Sequence, residues 1–524
     1  MSSAQPSEPG PPRVVVIGGG IAGLAAAHRL LAGGARVTVL EAGTRVGGKL
    51  HAGELAGLPA DLGAEALLAR RPEAVSLARA VGLGDVLQPV ATAGAAVWTR
   101  GRLRPLPGGQ VMGVPGDLDR LAAAEVLSPE GLARVAREAE LPPAEPGEDV
   151  AIGAFVAERL GAEVTDRLVE PLLGGVYAGD AYRLSMRAAV PQLFAALREE
   201  RTLLGAARAV QSRGAAAPAA GAAQPPVFMG IEGGIGRLPS AVAEAVRAAG
   251  GEIVLGTQAT ALERGQGSPG PGPSRNPEHP GALAGGGAAE RPRAAGTAPP
   301  GHPGPPGAAP TWDRPARWRV LAGGRSYDAD AVVLAVPAAA AARLVRGHAP
   351  RAAAEFDGVR YASMALITLA LPRGEAEAQL PAGTGFLVPP VDGRTIKAST
   401  FSSAKWRWAG DDDLFLLRTS VGRIDDEKTL ERDDADLVAA SLDDLRAATG
   451  LTAGPVASRV SRWRGGLPQY EVGHDARVAR IRDALPAGIA VCGALYDGVG
   501  VPACVASAHR AADELLGRPG TMAA

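Results

Sequence analysis

Apolar and polar positions alternate along this chain in distinct rhythms. From Arg13, RVVVIG is a β-branched run with no polar interruption, the pattern of a short strand buried on both faces. IAGLAAAHRLLAGG continues with apolar residues at helical spacing and closes on Gly33-Gly34, a suitable C-cap. ARVTVLEA is a second apolar run, so strand, glycine turn, helix and strand predict one βαβ unit. From about residue 113 to 212, Ala, Leu, Glu and Arg recur at helical spacing. There SPEGLARVAREAEL opens on a Ser-Pro-Glu start signal, and EDVAIGAFVAERLGAEVTDRLVEPLLGGVYAG predicts two helices and a glycine-rich break. FMGIEGGIGRLPSAVAEAV predicts a loop through Gly233-Gly234 and a helix, and the strands GEIVLGTQATALER and RWRVLAGGRSYDADAVVLAVP follow. Near the end, IAVCGALYDGVGVPACVASAHRAADEL predicts a strand from Ile489 to Cys492, a glycine turn, and a helix from about Pro502, a residue suited to a first turn.

Two segments carry neither rhythm. Residues 1–12 are polar and rich in Pro and Gly, a disordered leader by composition. Residues 265–311 are dominated by Gly, Pro and Ala, and are expected to form a disordered surface insertion between two strands of one sheet. With 524 residues the chain exceeds a single core, so two or three domains are expected. Hydrophobic residues at 46% and charged residues at 21% describe an ordinary globular protein. A net charge of −1 argues against nucleic acid or a strongly acidic surface as partner, so any anion binding must be local. Only Cys492 and Cys504 are present, which suits a reducing compartment and points to the cytoplasm. The N-terminus lacks a secretory pattern, and no run reaches the roughly 18 apolar residues of a membrane span. Nothing in the sequence speaks against peripheral contact with a membrane.

The chemistry-bearing motif is Gly18-x-Gly20-x-x-Gly23 between the first strand and helix. Gly18 allows a tight turn, Gly20 lets backbone approach a pyrophosphate, and Gly23 lets helix pack on strand. The first helical residues, Ile21 and Ala22, bring unpaired N–H groups and the positive dipole end to the phosphates. Glu41, followed by Ala42, ends the second strand, where an acid accepts from ribose hydroxyls. Glu41 does not choose between NAD and FAD. Beyond it Gly47-Gly48 offer a second close backbone approach, with Arg45 and Lys49 beside them. At the C-terminus Gly498, Gly500, Val501 and Pro502 aim a second helix N-terminus at an anionic or electron-rich group. The seven histidines show no metal-ligand spacing and there is no Gly-x-Ser-x-Gly elbow, so no metal, triad or dyad is expected.

The RVGGK segment is similar to one that follows the dinucleotide fold in flavin-dependent amine-oxidase-like enzymes, which makes FAD the implied cofactor. More specifically, LVEPLLGGVYAGDAYRLSMRAAVPQL, IKASTFSSAKWRW, LLRTSVGR, RWRGGLPQYEVGH, DLGAEALLARRPEAVSLARAVGLGD and YDGVGVPACVASAHRAAD resemble the protoporphyrinogen oxidase family, including its bacterial coproporphyrinogen III oxidases. The resemblance runs from about 13 to 520, the insertion excepted, with Ala508 where a glycine is common. It implies an α/β protein: a discontinuous Rossmann-like FAD-binding domain (13–88, 227–264, 312–345, 484–524), a mixed-sheet substrate-binding domain (89–112, 346–483) and a helical lobe (113–226). The implied reaction passes hydride from a porphyrinogen methylene bridge to the flavin while a pyrrole proton leaves, with O2 as final acceptor and peroxide as product. Handover to other heme-pathway enzymes would fit that chemistry, and oligomeric state is left open. Ala259 stands where relatives place a valine whose backbone holds the adenine. Arg70 and Arg71 match a basic position near the substrate propionates, with Arg102, Arg104, Arg407 and Arg423 as weaker cations. Gly174, Gly175 and Tyr177 are candidates to line the substrate slot, although an aromatic in a helical lobe also suits a core. Lys405 is the catalytic candidate, as a lysine near the flavin holding the water that meets oxygen, or else a salt-bridge partner in the substrate sheet. Coproporphyrinogen and protoporphyrinogen both stay open as substrate, the Arg70–Arg71 pair favouring the former. Another amine-oxidase-like flavoenzyme, or a non-catalytic flavin or porphyrin carrier, are the alternatives.

Overall fold

The structure, a computed structural model, describes residues 10–92, 94–214, 226–265 and 318–517. The expected leader (1–12) and insertion (265–311) lie outside the described residues, apart from 10–12 and 265.

Arg13–Ile17 pairs in parallel with Arg36–Leu40 on one side and Ala331–Leu334 on the other; Glu252–Val254 and Ile489–Val491 complete a five-stranded parallel sheet. Its strands are apolar throughout because both faces are covered. Val14 and Val16 point into a core with helices Ile21–Ala32, Arg237–Ala248 and Val501–Leu515. Val15 and Ile17 point into another with helices Ala338–Val345 and Pro350–Asp357. Each such fully buried aliphatic side chain contributes about 1.5–3 kcal/mol. Chain order reverses at the first strand, and open α/β sheets bind ligands outside the strand ends at such a reversal.

A seven-stranded sheet forms the second body, in the order Ala457–Pro468, Tyr361–Pro372, Leu414–Val421, Ile396–Thr400, Gly385–Leu387, Ala96–Thr99, Arg102–Pro105. All neighbours are antiparallel except Gly385–Leu387 with Ala96–Thr99. Helix Asp434–Thr449 seals one face through Leu437 and Leu445. A third core, from Val111 to Ala207, is built of helices. No described helix is long and apolar enough to cross a membrane.

The structure differs from expectation at three points, the first being RWRVLAGGRSYDADAVVLAVP, which holds three strands, Trp318–Ala322, Arg325–Ala329 and Ala331–Leu334, of which only the last joins the parallel sheet. GEIVLGTQATALER is two strands: Glu252–Val254 joins the parallel sheet, whereas Ala259–Arg264 pairs with Trp318–Ala322 in a separate small sheet. The chain turns between them at Gly256 (φ +62°), pinned by Gly256 N donating to Gly43 O at 2.8 Å. The expected glycine-rich break at Gly174-Gly175 is also absent. Helix Ile152–Leu160 ends at Gly161 (φ +99°), and helical structure then runs from Ala162 to Tyr177 with a π turn at Thr165–Val169. Pro171 removes one helical N–H, which the widened turn before it accommodates. Buried Leu168, Val169, Leu173 and Tyr177 offset the roughly 1 kcal/mol by which each glycine weakens a helix.

Candidate active site

The three glycines of the first turn are there for three different reasons. Gly18 takes φ +111°, and a Cβ on it would overlap Ala335 O; a Cβ on Gly23 would overlap Gly18 O. Gly20 has the extended φ −69°, open to any residue, and no protein atom lies within 4 Å of where its Cβ would be. Neither conformation nor packing asks for glycine at 20, so its bare backbone is a surface kept clear for something that approaches it. The Glu41 carboxylate closes one side of this surface. Oε2 accepts from Gly19 N and Oε1 from Gly43 N, both at 2.7 Å. The paired glycines close another: Gly47 N donates to Gly19 O at 2.8 Å, and Gly20 and Gly47 form a parallel bridge. Arg45 spends its guanidinium on this turn, donating to Val46 O at 3.0 Å and Gly48 O at 2.8 Å. Lys49 does not: it makes no ion pair among the described residues, and burial lowers its pKa. Ala42 is exposed at the rim, and Thr257 N, donating to Glu41 O at 2.8 Å, brings the chain before half-buried Ala259 alongside.

The C-terminal helix meets the same place. Its Cys504 lies close enough to Lys49 to bear on it electrostatically, and Gly493, in the loop before it, lies against Ala22 of the first helix. Gly498 (φ +127°) makes the turn; Gly500 caps the helix, with Val501 and Pro502 in its first turn. Two helix N-termini thus converge beside Lys49. Both cysteines are free and buried.

The loop before this helix is held by residues to which sequence reasoning assigned no role. Tyr470 Oη donates to Ala494 O at 2.6 Å and accepts from Gly498 N at 2.8 Å. His474 stacks on the Tyr470 ring at 3.7 Å, and its Nε2 bonds Leu495 O at 2.9 Å, which places the ring proton on Nε2. Burial holds His474 neutral, its pKa pulled down to about 4. The same segment is tied to the helical core, Ser185 N donating to Tyr470 O at 2.7 Å. PQYEVGH carried no signal for this role beyond its likeness to relatives.

The other candidates are scattered. A Cβ added at Gly174 would meet nothing within 4 Å outside its own helix, and one added at exposed Gly175 would stand 3.7 Å from Leu387. Tyr177 is a core residue, its ring 5.4 Å from Tyr470. Arg70 is exposed; Arg71, half-buried, precedes helix Pro72–Ala80 and pairs with Glu73 at 2.8 Å. Arg71 also bears electrostatically on Cys504, so it belongs to the Lys49 neighbourhood. Arg102 is exposed on the edge strand and Arg104 pairs with Glu125 at 3.1 Å, so neither joins it. Arg407 is exposed; Arg423 donates to Val388 O at 2.9 Å.

Lys405 takes the second of its two readings, the salt-bridge partner. It is not a free lysine: its Nζ bonds Glu65 at 2.9 Å, and the same carboxylate takes Arg418 at 2.7 Å and Trp406 Nε1 at 3.0 Å. It is a salt-bridge partner, and its acid comes from outside the large sheet.

On the sheet face towards the helical core, positions that keep solvent exposure mark a candidate slot. Ile396, Ser399 and Phe386 are buried on the sealed sheet face, whereas Met364, Leu387, Ala398 and Thr400 stay half-exposed although they sit well inside the sheet. Helix Glu170–Tyr177 lies over this open face.

The chain matches the family described as flavin containing amine oxidoreductase over residues 21–272 and 311–516. It is 36% identical over 509 residues to a coproporphyrinogen III oxidase of Mycobacterium tuberculosis, covering 96% of each chain. It is 28% identical to that of Bacillus subtilis, covering 97% of this chain and 98% of the other. A crystal structure of an Exiguobacterium protein, provisionally assigned as a protoporphyrinogen oxidase, superposes with a TM-score of 0.77 at 29% identity, covering 98% and 99% of the two chains.

Proposed function

This chain belongs to the flavin containing amine oxidoreductase family and is an FAD-dependent oxidoreductase, and we propose that it oxidises coproporphyrinogen III to coproporphyrin III. One observation carries the substrate: the likeness to proteins of that name spans 96% of both chains, so cradle, sheet and helical core all fall within it.

In this reading the parallel sheet with its glycine turn is the Rossmann-like FAD-binding unit. Gly18, Gly20 and the Ile21–Ala22 N–H groups take the diphosphate, with Gly23 securing the helix. Glu41 takes the ribose, its free lone pairs remaining after the Gly19 and Gly43 bonds. Gly47-Gly48 lie along the cofactor, with Arg45 bracing their turn, and Lys49 supplies the local positive charge. Gly498 to Pro502 present the second helix end to the ring system. Bound there, FAD supplies the two-electron acceptor for hydride leaving a methylene bridge. The rest of the protein holds the macrocycle in the slot, keeps water out and lets a pyrrole proton leave with each hydride. Three such rounds convert porphyrinogen to porphyrin, with O2 reduced to H2O2 in each. The cytoplasm is the setting we assign, since unpaired buried cysteines suit a reducing compartment.

Aerobic turnover of coproporphyrinogen and protoporphyrinogen side by side, scored by porphyrin fluorescence and peroxide, is expected to give a higher kcat/KM for the first. Turnover of protoporphyrinogen alone would favour the reading suggested by the Exiguobacterium structure. Binding without any oxidation would make the chain a carrier.

Tyr470→Phe is expected to keep the stacked ring and the fold but leave Gly498 N and Ala494 O without their shared partner. An unsatisfied buried group costs about 1–3 kcal/mol, so flavin should leave the variant faster, followed as the rise of free-flavin fluorescence on dilution. Release at the wild-type rate would show that the hydroxyl does not hold the cofactor loop.

A further inference from the structure

Lys397 lies on strand Ile396–Thr400 with only 4% of its surface exposed. Its one hydrogen-bonding neighbour among the described residues is the Met364 thioether sulfur, 3.9 Å from Nζ, a weak acceptor at best. No acid among the described residues balances it. Burial, reinforced by the neighbouring cation Arg423, pulls its pKa down to about 7. Arg423 has acids of its own in Glu170 and Asp426. Glu170 is committed to Ala181 N at 2.7 Å, and burial, with Asp180 and Asp166 near, pushes it up to about 7. An ammonium buried without a carboxylate costs several kcal/mol, and groups so placed in a cleft are functional-site candidates. The cleft is here: half-exposed Met364, Leu387 and Ala398 floor the slot, and helix Glu170–Tyr177 roofs it.

We propose that Lys397, together with Arg423, is a carboxylate-binding site in the wall of the slot, and that it takes a carboxylate from the rim of the substrate. This rests on the reading of the substrate as a porphyrinogen. A carboxylate supplies the anion that Lys397 lacks and accepts charge-assisted bonds from ammonium and guanidinium together. It also orients an otherwise apolar disc within an apolar slot, which a hydrophobic surface alone cannot do.

The test uses holoenzyme and the air-stable product. Coproporphyrin and its tetramethyl ester, which has the same ring but no ionised carboxyl, are titrated by fluorescence quenching against wild type and Lys397→Met. Wild type is expected to prefer the acid. In Lys397→Met, affinity for the acid falls by about tenfold or more, the loss of one bond to a charged group, while affinity for the ester is unchanged. Removal of an unbalanced buried amine should leave the melting temperature unchanged or raised, a direction that a lysine kept for stability would not give. An unaltered acid-to-ester ratio with bound product would overturn the site alone. Wild type that binds no coproporphyrin would overturn the substrate reading as well. Lys397→Gln, read in the same way, replaces Lys397→Met if that variant loses its flavin.

Discussion

A Gly20→Val protein is expected to fold, to melt as apoprotein where wild-type apoprotein melts, and to emerge colourless. The separation of folding from cofactor uptake is what makes this variant informative. Gly20 has a backbone conformation that valine adopts readily, and beyond its chain neighbours no protein atom lies within 4 Å of the new Cβ. As helix cap it has no side-chain bond to lose. A branched side chain there instead projects into the space between the first turn, the Glu41 carboxylate and the Gly47-Gly48 turn. A clash of only about 1.4 kcal/mol with the diphosphate lowers affinity tenfold, and steric overlap with backbone-hugging phosphates far exceeds that. The comparison must be made between apoproteins, because bound ligand itself raises the melting temperature. Gly23→Val is the contrast: its Cβ would overlap Gly18 O, so fold and flavin should be lost together. A Gly20→Val protein with the wild-type ratio of flavin to protein absorbance would remove the first turn from the cofactor site.

Replacing Glu65 by alanine is expected to lower stability by several kcal/mol. The carboxylate is buried and joins Lys405, Arg418, Trp406 and, at 3.3 Å, Ser402. These partners lie on or beside the large sheet, whereas Glu65 follows strand Leu58–Asp61, so one carboxylate ties two parts of the molecule. Deletion leaves two largely buried cations facing no anion, a change that costs about 3–5 kcal/mol. Thermal and urea unfolding of the holoprotein would register it; a shift in melting temperature of less than a degree would mean that solvent already screens the cluster. The acid dependence follows. Burial works against ionised Glu65, but Arg418 and Lys405 outweigh it and hold its pKa down at about 2. Its contribution is therefore complete above the ordinary glutamate range near 4.5 and is lost as pH falls through about 2. Asp61 runs the opposite way. Burial pushes it up to about 7 despite bonds from Ile235 N and Gly236 N, so the folded state binds that proton more tightly. Its contribution favours folding below the ordinary aspartate value of 3.8 and weakens as pH rises towards 7.

The elements legible from sequence are those whose cause is local. RVVVIG reads as a strand because every side chain must be buried, and helix Ile21–Ala32 follows from its spacing and from Gly33 after it. The helix signalled by Ser-Pro-Glu begins at Pro129, with Ser128 Oγ accepting from Gly131 N at 2.9 Å. The misreadings have tertiary causes. GlyGly inside Glu170–Tyr177 reads as a break by propensity, but buried neighbours override a penalty of about 1 kcal/mol per residue. Lys405, read as a flavin-side lysine or a salt-bridge partner, has its acid 340 positions away, which no local pattern reveals.

What the sequence by itself determined is the glycine turn with its flanking strand and helix, the acid at Glu41, and the second helix start at Gly500. Turn conformation, absent Cβ atoms and apolar runs are properties of a few consecutive residues, and no folded partner is needed to see them. The tertiary structure alone decided how charge and support are distributed: Glu65 on Lys405 across 340 positions, Tyr470 and His474 beneath the loop at 494–498, and Lys397 left without an acid. The physical reason is that pairing and desolvation depend on which groups the fold brings within a few ångströms, and nothing in the spacing of a linear chain records that distance.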